Sequence, residues 1–324
     1  MASAPGSAKR PRVGVIGLGV MGRPMAANLL SKGATAVAIT GRDKARYSGL
    51  LGAGAVWHDT PRSLASSVDA ILLMLPDLPE VEAVLSGPDG VLAGSFDHLL
   101  LIISSTSSPT GVRELAHRLQ SASHSVVAVV DAPVSGGSDG AVAGTLSIMV
   151  GGADDDVAQA IPILSACGNP VHLGPLGSGQ VAKACNQMIV AATILALGEA
   201  AVLADRSGLD LDQLFTLLAG GYAGSRLLDT RRERLVTEDY SPSGIARYMV
   251  KDLDFATAAI EATDTHPALL PAVRAAFAEL TRLGLGEYDI AVTRRYTELR
   301  RPPSEYIADA AADRHDPATE PNSS

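Results

Sequence analysis

Three polar side chains suited to proton transfer lie close together in the sequence: Lys183, Asn186 and Gln187. Their i, i+3, i+4 spacing places them on one face of a helix. The surrounding segment, roughly Gln180 to Ser207, is apolar nearly all round, which is typical of a buried helix. Burial lowers the pKa of a lysine toward the range that suits a general acid or base. The alternative is a lysine at the first turn whose ammonium group reaches solvent.

A glycine-containing turn follows the predicted strand from Ser125 to Val130. Its residues are Ser135, Gly136 and Gly137, in the run DAPVSGG. Successive backbone N–H groups in such a turn can hold an anion, for example the carboxylate of a substrate. The spacing alone leaves an ordinary loop as an equal alternative.

A second glycine motif lies near the start of the chain, between a predicted strand at Val13 to Ile16 and a helical pattern. Gly17 allows the tight turn, Gly19 lets a pyrophosphate approach the backbone, and Gly22 lets the helix pack closely. The N–H groups of the helix start favour phosphates. The motif in this context predicts a dinucleotide site, to which we also assign Leu18, Val20 and Met21.

The end of the second predicted strand, Ala36 to Thr40, bears on the choice of cofactor. NAD-binding folds usually carry an acidic residue here, whereas NADP-binding folds favour a nearby arginine. The strand ends in Thr40, and the first charged side chain is Arg42. We therefore favour NADP(H) over NAD(H). The alternatives are a merely solvated Arg42, or a ribose contact from Asp43, although an aspartate at this position commonly caps a helix.

Strand and helix patterns alternate through the first half of the chain, which predicts a parallel sheet covered on both faces. Ligands bind beyond the carboxyl ends of such strands. One of these ends is the run Pro76 to Pro79, directly after Leu75, and we assign Leu75 and Pro76 to the cofactor site. The other is the hydroxyl-rich run Ser104 to Ser108, for which a solvated loop is the alternative. The predicted strands after the second are Ala55 to Trp57, Asp69 to Leu75, Leu99 to Ile103, Ser125 to Val130, Thr145 to Val150 and Val171 to Leu173.

From Gly174 onward the pattern is helical. We predict a flexible tail at residues 1–12, a dinucleotide-binding domain at 13–174, an all-helical domain at 175–300 and a flexible polar tail at 301–324. The fold class is thus α/β, a doubly wound and mainly parallel sheet followed by an all-α domain, joined by a long helix. The predicted helices of the second part, after the long one, are Leu211 to Ala219, Arg226 to Thr237, Arg247 to Ala262, Pro267 to Leu283 and Tyr288 to Leu299.

Composition narrows the class of protein. The 324 residues carry a net charge of −9 and lack a basic stripe, which argues against nucleic acid as a partner. Two cysteines, Cys167 and Cys185, are too few for a secreted disulfide framework, so we expect a cytoplasmic protein. The most apolar run, Ile189 to Ala204, is interrupted by Glu199, so we expect no membrane span. We also predict no metal site.

Four ordered motifs between Val13 and Val292 resemble the β-hydroxyacid dehydrogenases. They are GLGVMGRPMAANL, then DAPVSGG with GTLSIMVGG, then GSGQVAKACNQ, and finally KDLDFA. The resemblance implies a Rossmann-type domain, a long interdomain helix and a helical domain that mediates assembly. A homodimer or homotetramer is therefore expected.

The resemblance also implies roles for individual residues. The family's catalytic lysine corresponds to Lys183, and its helix amide to Asn186 or Gln187. Its substrate-side turn corresponds to Ser135, Gly136 and Gly137. Contacts on the cofactor side correspond to Ser105, Thr106 and Lys251, the last near the nicotinamide end.

The chain departs from the family at three positions. Family members often have Asn at Gly41, Asp at Ile103 and a second Asn at Gln187. The loss of a carboxylate at Ile103 puts the path of the following serine run in question. The lysine at position 183 separates the chain from imine reductases, which usually replace it, and from inactive relatives that have lost it.

The function predicted from these residues is NADP(H)-dependent hydride transfer with Lys183 as general acid/base. The substrate is a small 3-hydroxy acid or semialdehyde, because the turn at Ser135 would hold a carboxylate one carbon away from the reacting carbon. An activity like that of imine reductases and a non-catalytic NADP-binding protein are the alternatives.

Overall fold

A computed structural model describes residues 11–33, 36–123 and 126–300 of the chain. Apart from residues 11 and 12, the two expected tails lie outside these ranges. The described residues form a nine-stranded, mostly parallel sheet flanked by helices, and further helices that follow it. This confirms the predicted fold class.

The sheet has the strand order β3-β2-β1-β4-β5-β6-β8-β7, with β9 paired to β8. All neighbours from β3 to β6 are parallel, β8 is antiparallel to β6 and β7, and β9 is parallel to β8. The strands are β1 (Arg12–Ile16), β2 (Ala36–Thr40), β3 (Val56–Trp57), β4 (Ala70–Leu73), β5 (Leu99–Ile103), β6 (Val127–Asp131), β7 (Val134–Ser135), β8 (Leu146–Gly151) and β9 (Gly168–Gly174).

Thirteen α-helices occur among the described residues. They are α1 (Gly22–Asn28), α2 (Ser48–Gly52), α3 (Pro61–Ala65), α4 (Leu78–Leu85), α5 (Pro109–Ala122), α6 (Gly137–Ala143), α7 (Asp154–Leu164), α8 (Ser178–Arg206), α9 (Leu211–Ala219), α10 (Arg226–Thr237), α11 (Tyr248–Glu261), α12 (Leu270–Leu280) and α13 (Thr293–Leu299). One π-helical turn extends α1 over Leu29–Gly33, and another extends α12 over Thr281–Leu285.

The central strands are buried on both faces. Every residue of β4, β5 and β6 is buried, and two apolar clusters cover the opposite sides of the sheet. Continuous apolar strands are characteristic of a parallel sheet between two helical layers. The carboxyl ends of β1, β4, β5 and β6 consequently meet at one edge.

Two short elements differ from the sequence prediction. The strand β7 was not predicted, and it makes this margin of the sheet antiparallel. The helix α6 begins at Gly137, so the Ser-Gly-Gly run is the junction of a strand and a helix rather than an open loop. Both elements are too short to produce a readable hydrophobic period.

The chain separates into two compact units. Among the described residues, the first contains those up to residue 192 and those from 242 to 289, and the second contains residues 193–241 and 290–300. The chain is therefore not divided at a single point near residue 174. Residues 242–289, which include α11 and α12, belong to the same unit as the sheet. The expected domain bounds stay a prediction.

The second unit has a small core of its own around Phe215, Leu235 and Tyr296, all fully or almost fully buried. Arg294 is buried beside it and donates hydrogen bonds to the carbonyl oxygens of Leu235 (2.7 Å) and Val236 (3.3 Å). These bonds satisfy carbonyl groups at the end of α10.

The helix α8 is long and apolar enough to cross a membrane by length and composition. The buried core helix of a soluble protein passes the same test, so these two properties are weak evidence. Its polar side chains make the contacts described below.

Candidate active site

The glycine turn lies where β1 passes into α1. Gly17 has a φ of +99°, and a Cβ there would stand 2.2 Å from the carbonyl oxygen of Met74. A Cβ at Gly22 would stand 1.9 Å from the carbonyl oxygen of Gly17. A Cβ at Gly19 would meet nothing within 4 Å. The first and third glycines are thus required by the protein's own packing, whereas Gly19 faces open space that a pyrophosphate could approach.

The end of β2 places Arg42 in solvent. Thr40 is buried, and the next two residues are exposed. Asp43 caps the 3₁₀ turn Lys44–Tyr47, where its carboxylate accepts a hydrogen bond from the N–H of Ala45 at 3.0 Å. Asp43 therefore caps a helical turn, as an aspartate at this position commonly does.

Lys183 is buried, with 7% of its surface exposed, so the alternative in which it reaches solvent is wrong. Its ammonium group donates hydrogen bonds to the carbonyl oxygen of Val134 (2.9 Å) and to Oε1 of Gln187 (3.0 Å). Nδ2 of Asn186 donates to the same Oε1 at 2.9 Å. The three polar residues of the helix face are thus brought together as the spacing predicted.

A carboxylate that sequence reasoning missed lies behind this cluster. Asp252, on α11, is 6% exposed and accepts a hydrogen bond from Nε2 of Gln187 at 2.6 Å. Gln187 therefore joins the ammonium group of Lys183 to the carboxylate of Asp252. The only signal in the sequence was the position of Asp252 inside the KDLDFA motif.

These surroundings set the protonation of Lys183. Burial lowers the pKa of Lys183 from 10.5 to about 8, while Asp252 acts to raise it and Lys251 acts to lower it. Burial raises the pKa of Asp252, against the opposing charges of the two lysines. A lysine with a pKa near 8 exchanges a proton readily around neutral pH.

The turn after β6 lies beside Lys183. Oγ of Ser135 donates a hydrogen bond to Oδ1 of Asn186 at 3.3 Å, and Ser135 is partly buried. Gly136 and Gly137 have φ values of +133° and +64°, a region that glycine reaches without strain. The structure thus brings the predicted substrate-side residues next to the predicted catalytic residues.

Lys251 ties two loops at the carboxyl edge of the sheet. Its ammonium group donates hydrogen bonds to the carbonyl oxygens of Pro76 and Thr106, both at 2.8 Å. The N–H of Leu75 donates to Oγ of Ser105 at 3.0 Å, which joins the same two loops. All of the predicted residues on these loops therefore lie close together.

The serine run after β5 is held by Gln180, a residue that the sequence analysis did not select. Nε2 of Gln180 donates to the carbonyl oxygen of Ser105 (2.8 Å), and its Oε1 accepts from the N–H of Ser107 (3.0 Å). Gln180 thus orders a loop whose path the apolar residue Ile103 had put in question. Within the described ranges, the buried hydroxyl groups of Ser104 and Ser107 have no hydrogen-bond partner.

Asp131 fixes the start of α8. Its two carboxylate oxygens accept hydrogen bonds from the N–H groups of Gly177 and Gln180, each at 2.7 Å. Burial raises the pKa of Asp131 to about 6, although these backbone bonds oppose the rise. Since Asp131 ends β6 and Val134 follows it closely, this cap also positions Lys183 relative to its carbonyl partner.

Two protein-family models match the chain. Residues 12–177 match the NAD-binding domain of 6-phosphogluconate dehydrogenase. Residues 177–296 match a model described as NAD-binding of NADP-dependent 3-hydroxyisobutyrate dehydrogenase.

Individual proteins show the same similarity. The chain is 37% identical over 246 residues to 2-hydroxy-3-oxopropionate reductase of Escherichia coli, a match that covers 76% of this chain and 82% of that protein. It is 32% identical over 292 residues to an NAD-dependent L-serine dehydrogenase of Pseudomonas aeruginosa, covering 88% and 97% of the two chains. A solved structure of Mycobacterium tuberculosis 3-hydroxyisobutyrate dehydrogenase with L-serine is 30% identical, has a TM-score of 0.75, and covers 90% of this chain and 100% of that one.

Proposed function

Because the chain belongs to the β-hydroxyacid dehydrogenase family, an NAD(P)-dependent oxidoreductase class that acts on CH–OH groups, we propose that it transfers hydride between NADP(H) and a small 3-hydroxy acid or its semialdehyde. The observation that carries this proposal is the buried Lys183, which is held by Val134 and Gln187. Its pKa of about 8 suits a group that must gain and lose a proton in each cycle.

The residues at the sheet edge fit a nicotinamide dinucleotide. The open space beside Gly19 admits a pyrophosphate, and the turn includes Leu18, Val20 and Met21. The buried, unpartnered hydroxyl groups of Ser104 and Ser107 lie in the loop that also contains Ser105 and Thr106. When bound, the nicotinamide supplies the hydride chemistry.

Lys183 would then supply the proton. During reduction its ammonium group protonates the alkoxide that forms at the carbonyl carbon, and during oxidation the neutral amine accepts the hydroxyl proton. Gln187 and the carbonyl group of Val134 hold the Nζ atom by two of its three N–H groups. The third N–H would donate to the substrate oxygen.

Ser135 and the two glycines after it would bind the substrate carboxylate. The first N–H groups of a helix have no partner within the helix, and α6 begins at Gly137. The link from Ser135 to Asn186 places this turn beside the proton-transfer group. Such an arrangement suits an acid whose carboxylate is one carbon away from the reacting carbon, as in L-serine or 2-hydroxy-3-oxopropionate.

The preference for NADP(H) rests on the end of β2. Arg42 is exposed there, and Asp43 uses its carboxylate to cap the next turn. A guanidinium group binds a ribose phosphate by paired N–H bonds. The L-serine dehydrogenase relative is named as NAD-dependent, so similarity to relatives does not decide between the two cofactors. The preference for NADP(H) in this chain therefore rests on Arg42.

A turnover assay tests the reaction. Oxidation of NADPH would be followed at about 340 nm, the usual wavelength for reduced nicotinamides, with succinic, tartronic, methylmalonic and glyoxylic semialdehydes or aldehydes. We expect turnover with at least one carboxylate-bearing aldehyde. In Lys183→Ala, turnover should fall roughly 10²- to 10⁴-fold while nucleotide binding is retained.

Three results would contradict the proposal. A Lys183→Ala variant with full turnover would remove Lys183 from the mechanism. Turnover confined to cyclic imines would instead indicate an imine reductase, and nucleotide binding without any turnover would indicate a non-catalytic NADP-binding protein.

A further inference from the structure

Within the described part of the chain, two arginines near the end of β2 have no anionic partner. Arg23 follows directly after the glycine turn, in the first turn of α1, and Arg42 follows the end of the strand. Both are exposed, and within the described part of the chain neither forms an ion pair or a side-chain hydrogen bond. Such arginines on an acidic protein, with a net charge of −9, are available to an anionic ligand.

Tyr47 holds Arg23 toward the end of this strand. The guanidinium carbon of Arg23 lies 5.6 Å from the centroid of the Tyr47 ring, within the range of a cation–π contact. The Tyr47 ring is itself stacked on Trp57, with 6.2 Å between centroids and 23° between planes. The indole N–H of Trp57 donates to Oδ1 of Asp59 at 2.7 Å. Trp57 therefore holds the Tyr47 ring on which Arg23 lies.

Gly41 explains how the tyrosine comes so near the strand end. A Cβ at this position would lie 2.8 Å from Cε2 of Tyr47. Any other residue would push the ring away, and Arg23 with it. Since Gly41 directly precedes Arg42, the arrangement brings the guanidinium group of Arg23 near the strand end at which Arg42 lies.

We propose that Arg23 is a second specificity-determining residue of this site, which binds the 2′-phosphate of NADP(H) together with Arg42 while stacked on Tyr47. A phosphate dianion can accept hydrogen bonds from two planar guanidinium groups at once. A ribose hydroxyl group cannot neutralise two cations. Asp43 and Asp59 each accept a hydrogen bond from a neighbouring group of the protein.

The inference rests on the proposed cofactor, but its test does not depend on the substrate. Binding of 2′,5′-ADP and of 5′-ADP would be measured by isothermal titration calorimetry on the full chain. The two probes differ only in the 2′-phosphate. In Arg23→Ala, affinity for 2′,5′-ADP should fall about 10- to 100-fold, as for loss of a charged hydrogen-bonding partner, whereas affinity for 5′-ADP should change less than about twofold.

Three further variants sharpen the comparison. Arg23→Lys keeps the charge without the planar group, so its loss should be intermediate. Arg42→Ala should show the same selective loss as Arg23→Ala. Arg282→Ala removes one exposed cation from the π-helical turn after α12 and should leave both affinities unchanged, which controls for a general charge effect.

The outcomes are separable. Equal loss for both probes in Arg23→Ala, or no loss for either, would overturn the role of Arg23. A wild-type protein that binds 5′-ADP as tightly as 2′,5′-ADP would also overturn it, although the hydride-transfer reaction could still proceed with NADH. Conversely, selective binding of 2′,5′-ADP that requires Arg23 would sustain the inference even in a protein that turns over no semialdehyde.

Discussion

At the scale of single residues, the central feature is the amide of Gln187 between Lys183 and Asp252. The amide oxygen accepts a hydrogen bond from the ammonium group, and the amide nitrogen donates a hydrogen bond to the carboxylate. Within the described chain Lys183 and Asp252 make no direct ion pair. The charge of Asp252 therefore raises the pKa of Lys183 without a direct contact between the two groups. The site therefore keeps a lysine that can change its protonation near pH 8.

This arrangement predicts the pH dependence of the two reaction directions. Reduction needs the protonated lysine, so its kcat/KM should fall as the pH rises through about 8. Oxidation needs the neutral amine, so its kcat/KM should rise through the same pH. Stopped-flow or steady-state rates measured between pH 6 and 10, roughly two units on either side, would check both limbs.

Two substitutions should move these limbs in opposite directions. Asp252 raises the pKa of Lys183, so Asp252→Asn should shift both limbs to lower pH. Lys251 lowers that pKa, so Lys251→Met should shift both limbs to higher pH. Each substitution is the control for the other, and a shift in the same direction for both would contradict the assignment.

The sequence predicted part of this site for a definite reason. The period of a helix fixes which residues share a face, so Lys183, Asn186 and Gln187 could be grouped from spacing alone. Asp252 and Gln180 could not be selected in this way. Their partners lie far away in the chain and on other elements, and local spacing carries no information about such contacts.

At the scale of elements, the start of α8 is held by the end of β6. The Asp131 carboxylate at the end of β6 accepts two N–H groups from the start of the helix. A carboxylate is suited to this because both of its oxygens accept hydrogen bonds.

Asp131→Asn tests this cap. An amide replaces one acceptor oxygen by a donor NH₂ group, which faces a backbone donor and cannot bond to it. We expect destabilisation by roughly 1–3 kcal/mol in urea denaturation. The control is Asp210→Asn at the exposed cap of α9, where asparagine caps as well as aspartate and little change is expected. Equal stability of Asp131→Asn and wild type would show that the cap contributes little.

Strand alternation and caps were readable because they depend on local pattern. The two-residue β7 and the antiparallel direction of β8 were not, since hydrophobic pattern reports burial and not strand direction. The packing of residues 242–289 with the sheet unit was likewise invisible, because it depends on contacts distant in sequence.

At the scale of the whole molecule, one face of α8 exposes a row of apolar side chains. Val181, Ile189 and Leu203 are 38%, 67% and 70% exposed, and Cys185 and Ala196 lie exposed on the same face, where the exposed Glu199 interrupts the row between Ala196 and Leu203. An exposed and mainly apolar helix face of this kind is typical of a contact between subunits. We propose that the protein assembles as a homodimer or homotetramer through this helix.

A charge placed at one of the apolar positions of the row should prevent assembly. Light scattering of the wild type at micromolar concentration should give at least twice the mass of one chain, and Ile189→Glu or Leu203→Glu should give the mass of a single chain. Leu217→Glu, at a residue of α9 that is 74% exposed and outside the row, is the matched control and should leave the mass unchanged. A wild-type protein with the mass of one chain would contradict the proposal.

The contacts of Lys251 and Asp252 also determine when the site can form during synthesis of the chain. The last strand of the sheet ends at Gly174, yet the loops after β4 and β5 are tied by the side chain of Lys251, which bonds to carbonyl groups 175 and 145 residues earlier in the chain. At a synthesis rate of roughly 5–20 residues per second, these ties become available on the order of 4 to 15 s after the sheet is complete. A nascent chain can therefore hold a finished sheet while Lys183 still lacks the carboxylate of Asp252 and the neighbouring cation of Lys251 that shift its pKa, so the proposed proton-transfer group is completed late in translation.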